Sequence, residues 1–276
     1  MNLIVVVPDE FENLSKRPGL LRYCVLIEKL RTNDTSELVG MSMIAGQGLS
    51  EMEIDHAFCL AASVGLSVEF SHWRQWHSDA RASRSLSHKH RTENVLISTP
   101  RRADGTDHYT AALMIDVRSE LMSDHLTGLH IQGMVLTEAC RQMFLAVTER
   151  FCLDDFPAGK RYFVISHMAM RYMEFAFPLP AEIRYHQLEQ QQPKPDRMSI
   201  KADMEVWQND RPVAGMAVEF TVFDAKYLSE REATLADRAL AQCLHTTAAA
   251  VAARNARTIV DTASMREEEL EEVLQS

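Results

Sequence analysis

Apolar positions along the chain fall into runs of two periods. Leu3–Val7 is a continuous five-residue apolar run, the pattern of a strand buried on both faces. Leu20–Leu30 carries apolar residues at helical spacing, Val39–Ala45 is another short apolar run, and Val68–Phe70 reads as a short strand. Ser50 and Glu53 stand at the Ser-x-x-Glu spacing of a capping box, which predicts a helix through Ile54, Phe58 and Leu60–Ala62 that stops at Gly65. Residues 1–75 therefore read as a small α/β unit. Its Gly46-Gln47-Gly48 is too short to cradle a phosphate and reads as a turn. Residues 76–92 are polar and without period, which predicts a linker.

From residue 93 the pattern changes. Asn94–Ser98 and His108–Val117 read as strands around an Asp104-Gly105 turn. A long apolar helix is predicted over Gln132–Phe151. Four strand-like segments follow at Tyr162–Phe177, Glu182–Glu189, Met198–Gln208 and Val213–Ala225, separated by Pro and Asn/Asp clusters. Residues 229–256 are Ala-rich and helical, and Met265–Leu274 reads as a short acidic helix capped by Ser264. The fold class expected is α+β: a domain over 93–226 with one long helix wrapped by an antiparallel sheet, the N-terminal α/β unit, and C-terminal helices over 227–276.

Composition narrows the function classes. The chain has 276 residues, 46% of them hydrophobic and 25% charged, and no apolar run near the roughly 20 residues of a membrane span. Its first residues lack the basic region of a signal peptide. The net charge of -10 argues against a nucleic-acid surface. Five widely spaced cysteines without a Cys-x-x-Cys predict neither a zinc site nor a disulfide framework, so a reducing, cytoplasmic compartment, no metal and no cofactor are expected.

The central helix is apolar nearly all round, yet carries Glu138, Arg141 and Gln142 at i, i+3 and i+4, on one face. Three readings stay open: a structural Glu138–Arg141 pair, a face open to solvent, or a polar spot on a pocket wall. The approach to the helix, Ser123-Asp124-His125-Leu126-Thr127-Gly128-Leu129-His130-Ile131-Gln132-Gly133, concentrates titratable groups. A histidine there can move protons near neutral pH, Gly133 permits close approach, and a helix amino end offers donors to a carbonyl oxygen.

The segment His130-Ile131-Gln132-Gly133-Met134-Val135-Leu136-Thr137-Glu138-Ala139-Cys140-Arg141-Gln142 resembles the helix motif of the A-factor biosynthesis (AfsA) hotdog family, His-x-Pro-Gly-Met-x-x-x-Glu-x-x-Arg-Gln, with Gln132 in place of the proline. His88-Lys89-His90-Arg91-Thr92-Glu93-Asn94-Val95-Leu96-Ile97 resembles the family's opening strand. The resemblance covers about residues 88–225 and implies a single hotdog, where typical members carry two repeats. A homodimer is therefore implied.

Such proteins make γ-butyrolactone-type signals, and the resemblance implies transfer of a β-ketoacyl group from acyl carrier protein to a dihydroxyacetone phosphate-like acceptor. The alternatives are a 3-hydroxyacyl dehydratase, an acyl thioesterase acting on acyl carrier protein or acyl-CoA thioesters, or a non-catalytic acyl-binding module. By resemblance the catalytic positions are Glu138 with His130 or His125, and the substrate-binding positions Arg141, Gln142, Gly133, Met134 and Asp124. The acyl chain is expected along the helix, lined by Met134, Met143, Phe144 and Met168 or Met170. Docking of an acidic carrier protein needs a basic patch, which Arg74, Arg81, Arg84, Lys89 and Arg91 could form; a solvated linker explains these charges as well.

Overall fold

The computed structural model describes residues 2–103, 105–123, 127–154 and 156–274. Asp124, His125 and the Asp104 of the expected turn lie outside them. Contacts divide the chain into two compact units, residues 1–158 with 163–222, and residues 159–162 with 223–276.

The first unit opens with β1 (Leu3–Val7), α1 (Glu12–Ser15), β2 (Leu20–Arg22), α2 (Tyr23–Thr32), β3 (Ser42–Ala45) and α3 (Glu51–Ser63). The three strands form a parallel sheet in the order β2-β1-β3. The helical period over Leu20–Leu30 thus hides a strand: Leu20–Arg22 pairs with β1 before the helix begins at Tyr23. Val68–Phe70 forms no strand. Val68 is 81% exposed, and the turns here lend only single carbonyls to β3, Glu69 O to Met43 N and Trp73 O to Ala45 N, both at 2.8 Å. The Ser50–Glu53 capping box forms as predicted.

β1 alternates between two cores. Val6 packs with Leu26, Leu30, Ile54 and Trp73 under the helices, while Val5 and Val7 join Ile115, Val117 and Met122 in the larger core on the other face. The Gly46-Gln47-Gly48 turn sits at this junction. Gly46 N donates to Val6 O at 2.7 Å, and a Cβ at Gly46 would lie 2.6 Å from that oxygen. Gln47 Nε2 donates to Trp76 O, and Val117 N donates to Gly48 O.

The stretch 76–92, where a linker is expected, carries buried His77 and Ser87 and the short helix α4 (Arg84–Ser87). Arg81 donates to the carbonyls of Val95, Met114 (2.8 Å) and Ile115 (3.0 Å).

The chain continues with β4 (Arg101–Arg102), β5 (His108–Ala112), α5 (Glu120–Ser123), α6 (Gly133–Phe151), β6 (Arg161–Tyr172), β7 (Glu182–Lys194), β8 (Arg197–Gln208) and β9 (Arg211–Asp224). The sheet runs β4-β5-β7-β8-β9-β6 and wraps α6, as expected. Asn209 and Asp210, both at positive φ, make the β8–β9 turn. Cys140 on α6 is fully buried, and burial pushes its thiol up to about 12. In the second unit both expected C-terminal helical segments lie in one helix, α7 (Ala225–Leu274), uninterrupted because no Gly or Pro falls in it.

Replacing Arg81 with Met leaves three carbonyls without their cationic donor and should lower the unfolding free energy by about 3 kcal/mol. Urea denaturation reads this directly; an unmoved midpoint would mean those carbonyls find other donors.

Candidate functional site

Helix α6 begins at Gly133, with Gln132 in the N-cap position making no side-chain cap. Over its length Val135, Leu136, Ala139, Met143, Phe144 and Val147 are buried, so the helix is enclosed. Its polar residues form a network. Arg141 Nε and Nη2 donate to Glu138 Oε2 and Oε1 at 2.7 and 2.9 Å, Lys89 Nζ reaches Oε1 at 2.8 Å, and Gln142 Nε2 reaches it at 3.0 Å. Gln142, fully buried, also donates to Asn94 O (2.8 Å) and accepts from Leu96 N (2.9 Å).

The His88-Lys89 motif and the Glu138/Arg141/Gln142 motif therefore meet in space, 49 residues apart in sequence at Lys89–Glu138. The turn that allows this is His88 itself, which ends α4 at φ 54 and points Nε2 at Glu149 (3.2 Å). Burial alone would push the Glu138 carboxyl up. The hydrogen bonds from Arg141 and Lys89, the Arg141 charge and the Gln142 amide outweigh it and hold the group below its usual 4.5. It is ionised and its acceptors are engaged.

A separate cavity of about 460 Å³ opens at the amino end of α6, lined by His130, Ile131, Gly133, Leu136 and Tyr172–Ala176. Ile131 N donates to Ala176 O at 2.8 Å, which ties the approach segment to the stretch that follows β6. The His130 ring packs on Phe175 (centroids 4.5 Å apart), and its Nδ1 lies 3.2 Å from Thr127 Oγ1. Thr127 Oγ1 already accepts from Leu129 N and His130 N. Its own hydrogen is thus the one shared with Nδ1, so the neutral ring carries its proton on Nε2.

The structure brings His130 and Gly133 into this cavity. Glu138, Arg141 and Gln142 are not among its lining residues. Met134 is 58% exposed and does not line it either. Met143 and Phe144 are core residues, the Phe144 ring packing tilted on Phe220 with centroids 4.7 Å apart, so the expected acyl channel along them is filled by side chains. Met168 is 41% exposed. The basic patch is largely consumed: Arg74 pairs with Glu51 and Asp55, Arg81 with backbone, Lys89 with Glu138 and Arg91 with Glu120. The cavity residues that sequence did not single out include Tyr172 and Glu174. They follow the helix by more than 20 residues, and no spacing marks them. Among the described residues no His/Cys/Asp/Glu group could hold a metal ion, and no helix is long and apolar enough to cross a membrane.

An antiparallel sheet closed around an enclosed helix, with a cavity at the helix's amino end, defines a hotdog protein. The chain belongs to the A-factor biosynthesis hotdog domain family, whose model matches residues 75–224. No curated protein matches the chain. Among solved structures it is similar to the dehydratase heterocomplex ApeI:P from Xenorhabdus doucetiae (14% identity, TM-score 0.40, 51% of this chain and 91% of that one). A conserved protein of Pseudomonas aeruginosa is similar too (17%, 0.37, 51% and 100%). So is a mutant thioesterase from the same organism (13%, 0.37, 50% and 88%).

Because the folded-state Glu138 carboxyl is depressed, its ionised form stabilises the fold at neutral pH. That contribution starts to be lost below about pH 4.5, the ordinary value, and is gone once pH has fallen through the folded-state value. Glu138→Gln should therefore cost about 2 kcal/mol at pH 7 and progressively less below pH 4.5. Urea unfolding of both proteins across pH measures the gap; a gap that does not narrow in acid would refute the ion-pair account.

Proposed function

We propose that this protein is an acyl-thioester enzyme that transfers a β-ketoacyl group from acyl carrier protein to a small hydroxylated, dihydroxyacetone phosphate-like acceptor. The observation that carries the reading is the cavity at the amino end of α6, where His130 and Glu174 line the same space in a member of the A-factor biosynthesis family. Glu138, held by Lys89 and Arg141, keeps the helix and the His88-Lys89 segment together.

In this reading the thioester carbonyl lies at the helix's amino end and takes a hydrogen bond from His130 Nε2–H. The acceptor hydroxyl attacks the carbonyl carbon while Glu174 takes its proton. The new C–O bond forms as the C–S bond breaks, and the proton leaves with the thiolate as the carrier's free thiol. The five free cysteines fit a reducing, cytoplasmic setting.

A homodimer belongs to the same proposal. β6 is a 12-residue edge strand on which Val164, Ile165 and Met168 are about 40% exposed, an edge that monomeric proteins normally shield. A second copy pairing along β6 covers it and closes the open side of the cavity, whose wall continues from that strand.

Mass spectrometry of the protein with β-ketoacyl carrier protein, with and without dihydroxyacetone phosphate, tests the reaction. Acyl loss that needs the acceptor and yields a phosphorylated ester is expected, reduced by about 10²-fold or more in His130→Ala. Acceptor-independent hydrolysis would make the protein a thioesterase instead, and water loss from a 3-hydroxyacyl control a dehydratase. Light scattering should give twice the chain mass, and Val164→Lys with Met168→Lys should shift it to one. A wild-type monomer would remove the shared-edge arrangement.

A further inference from the structure

The loop that leads into α6 is pinned at two points. Leu14 N, from α1, donates to Gly128 O at 2.9 Å, and Ile131 N donates to Ala176 O at 2.8 Å. Gly128 stands at φ 72, and Asn13 Nδ2 lies 3.0 Å from where its Cβ would be, so this joint is built for glycine. Thr127 stands just before the first pin and His130 just before the second.

The Thr127 hydroxyl joins the two. Its oxygen accepts from Leu129 N and His130 N, both at 3.2 Å, and lies 3.2 Å from His130 Nδ1. The two backbone donors use both lone pairs of that oxygen, so its hydrogen makes the bond to Nδ1. A ring nitrogen that accepts carries no hydrogen of its own. On its other side the imidazole packs against Phe175, with ring centroids 4.5 Å apart.

We propose that Thr127 is the positioning residue of His130. It decides which ring nitrogen carries the hydrogen and holds the ring's rotation, so that an N–H and not a lone pair meets the substrate carbonyl. The proposal rests on the acyl-thioester reading above. With the hydrogen on Nδ1, the bare Nε2 would face the carbonyl oxygen, and two acceptors repel. The negative oxygen that forms when the acceptor hydroxyl attacks would then have no donor from this ring. Thr127 itself is spent on atoms of its own loop, so it acts only through His130.

Long-range nitrogen–proton correlation NMR of isotope-labelled protein reads the hydrogen on each ring nitrogen. It is recorded well above the ordinary imidazole range, with His130→Ala identifying the His130 signals. Wild type should show Nε2 protonated and Nδ1 bare. Thr127→Ser keeps the hydroxyl and should keep that pattern. Thr127→Asp keeps an oxygen for the two backbone N–H groups, as Asp does in turns, but has no hydrogen to give; it should move the ring hydrogen to Nδ1. In the acyl-transfer assay Thr127→Asp should lower kcat by at least about tenfold, the scale of one lost hydrogen bond, with a smaller change in KM. Thr127→Ser should recover most of that loss. A purely structural role would move neither the tautomer nor the split between kcat and KM.

A wild-type ring protonated on Nδ1, or Thr127→Asp with either the tautomer or kcat unmoved, overturns the assignment of Thr127 and leaves the functional reading standing. Failure of wild type to turn over any acyl thioester overturns both.

Discussion

An apolar helix has to be covered on every side, and most of this architecture answers that requirement at α6. A buried helix with three polar residues in its middle turns is stable only if each polar group is paired where it lies. The sheet covers one side. On the other, α4 and the extended stretch up to Leu96 are held down by Gln142, whose amide bonds Asn94 O and Leu96 N, and by Lys89 on Glu138. The charges inside the helix face thus serve as the fasteners of its cover.

The same requirement explains why the N-terminal α/β layer shares a compact unit with the hotdog sheet. A parallel strand with two apolar faces needs two partners. Val6 finds one under α2 and α3; Val5 and Val7 find the other among Ile115 and Val117. The Gly46-Gln47-Gly48 turn, at the carboxyl end of β3, presents its polar groups to the chain's own backbone at Trp76 and Val117.

What the sequence made legible follows from locality. The capping box at Ser50, the helix from Gly133 and the strands from Glu182 to Asp224 are written in residues close together. β2 was not legible, because Leu20 and Leu21 continue the helical period of α2 and only pairing with β1 makes Leu20–Arg22 a strand. The stretch 76–92 is polar because its job is to donate, Arg81 to three carbonyls and Lys89 to a carboxylate. In the site, His130 and Gly133 were legible from their place before a long helix. Tyr172 and Glu174 were not, since a strand end joins the cavity only through the sheet. The two family motifs could be read separately, but not that they touch.

Burial of Cys140 gives the molecule a clock. Its thiol sits at the centre of α6 with its ionisation pushed far above neutral, while Cys24 and Cys59 stand at the surface. Only a thiolate is alkylated, and a sulfur under the sheet meets reagent only when helix and sheet part. The surface sulfurs record exposure to the reagent; Cys140 records how often the wrapped helix comes undone.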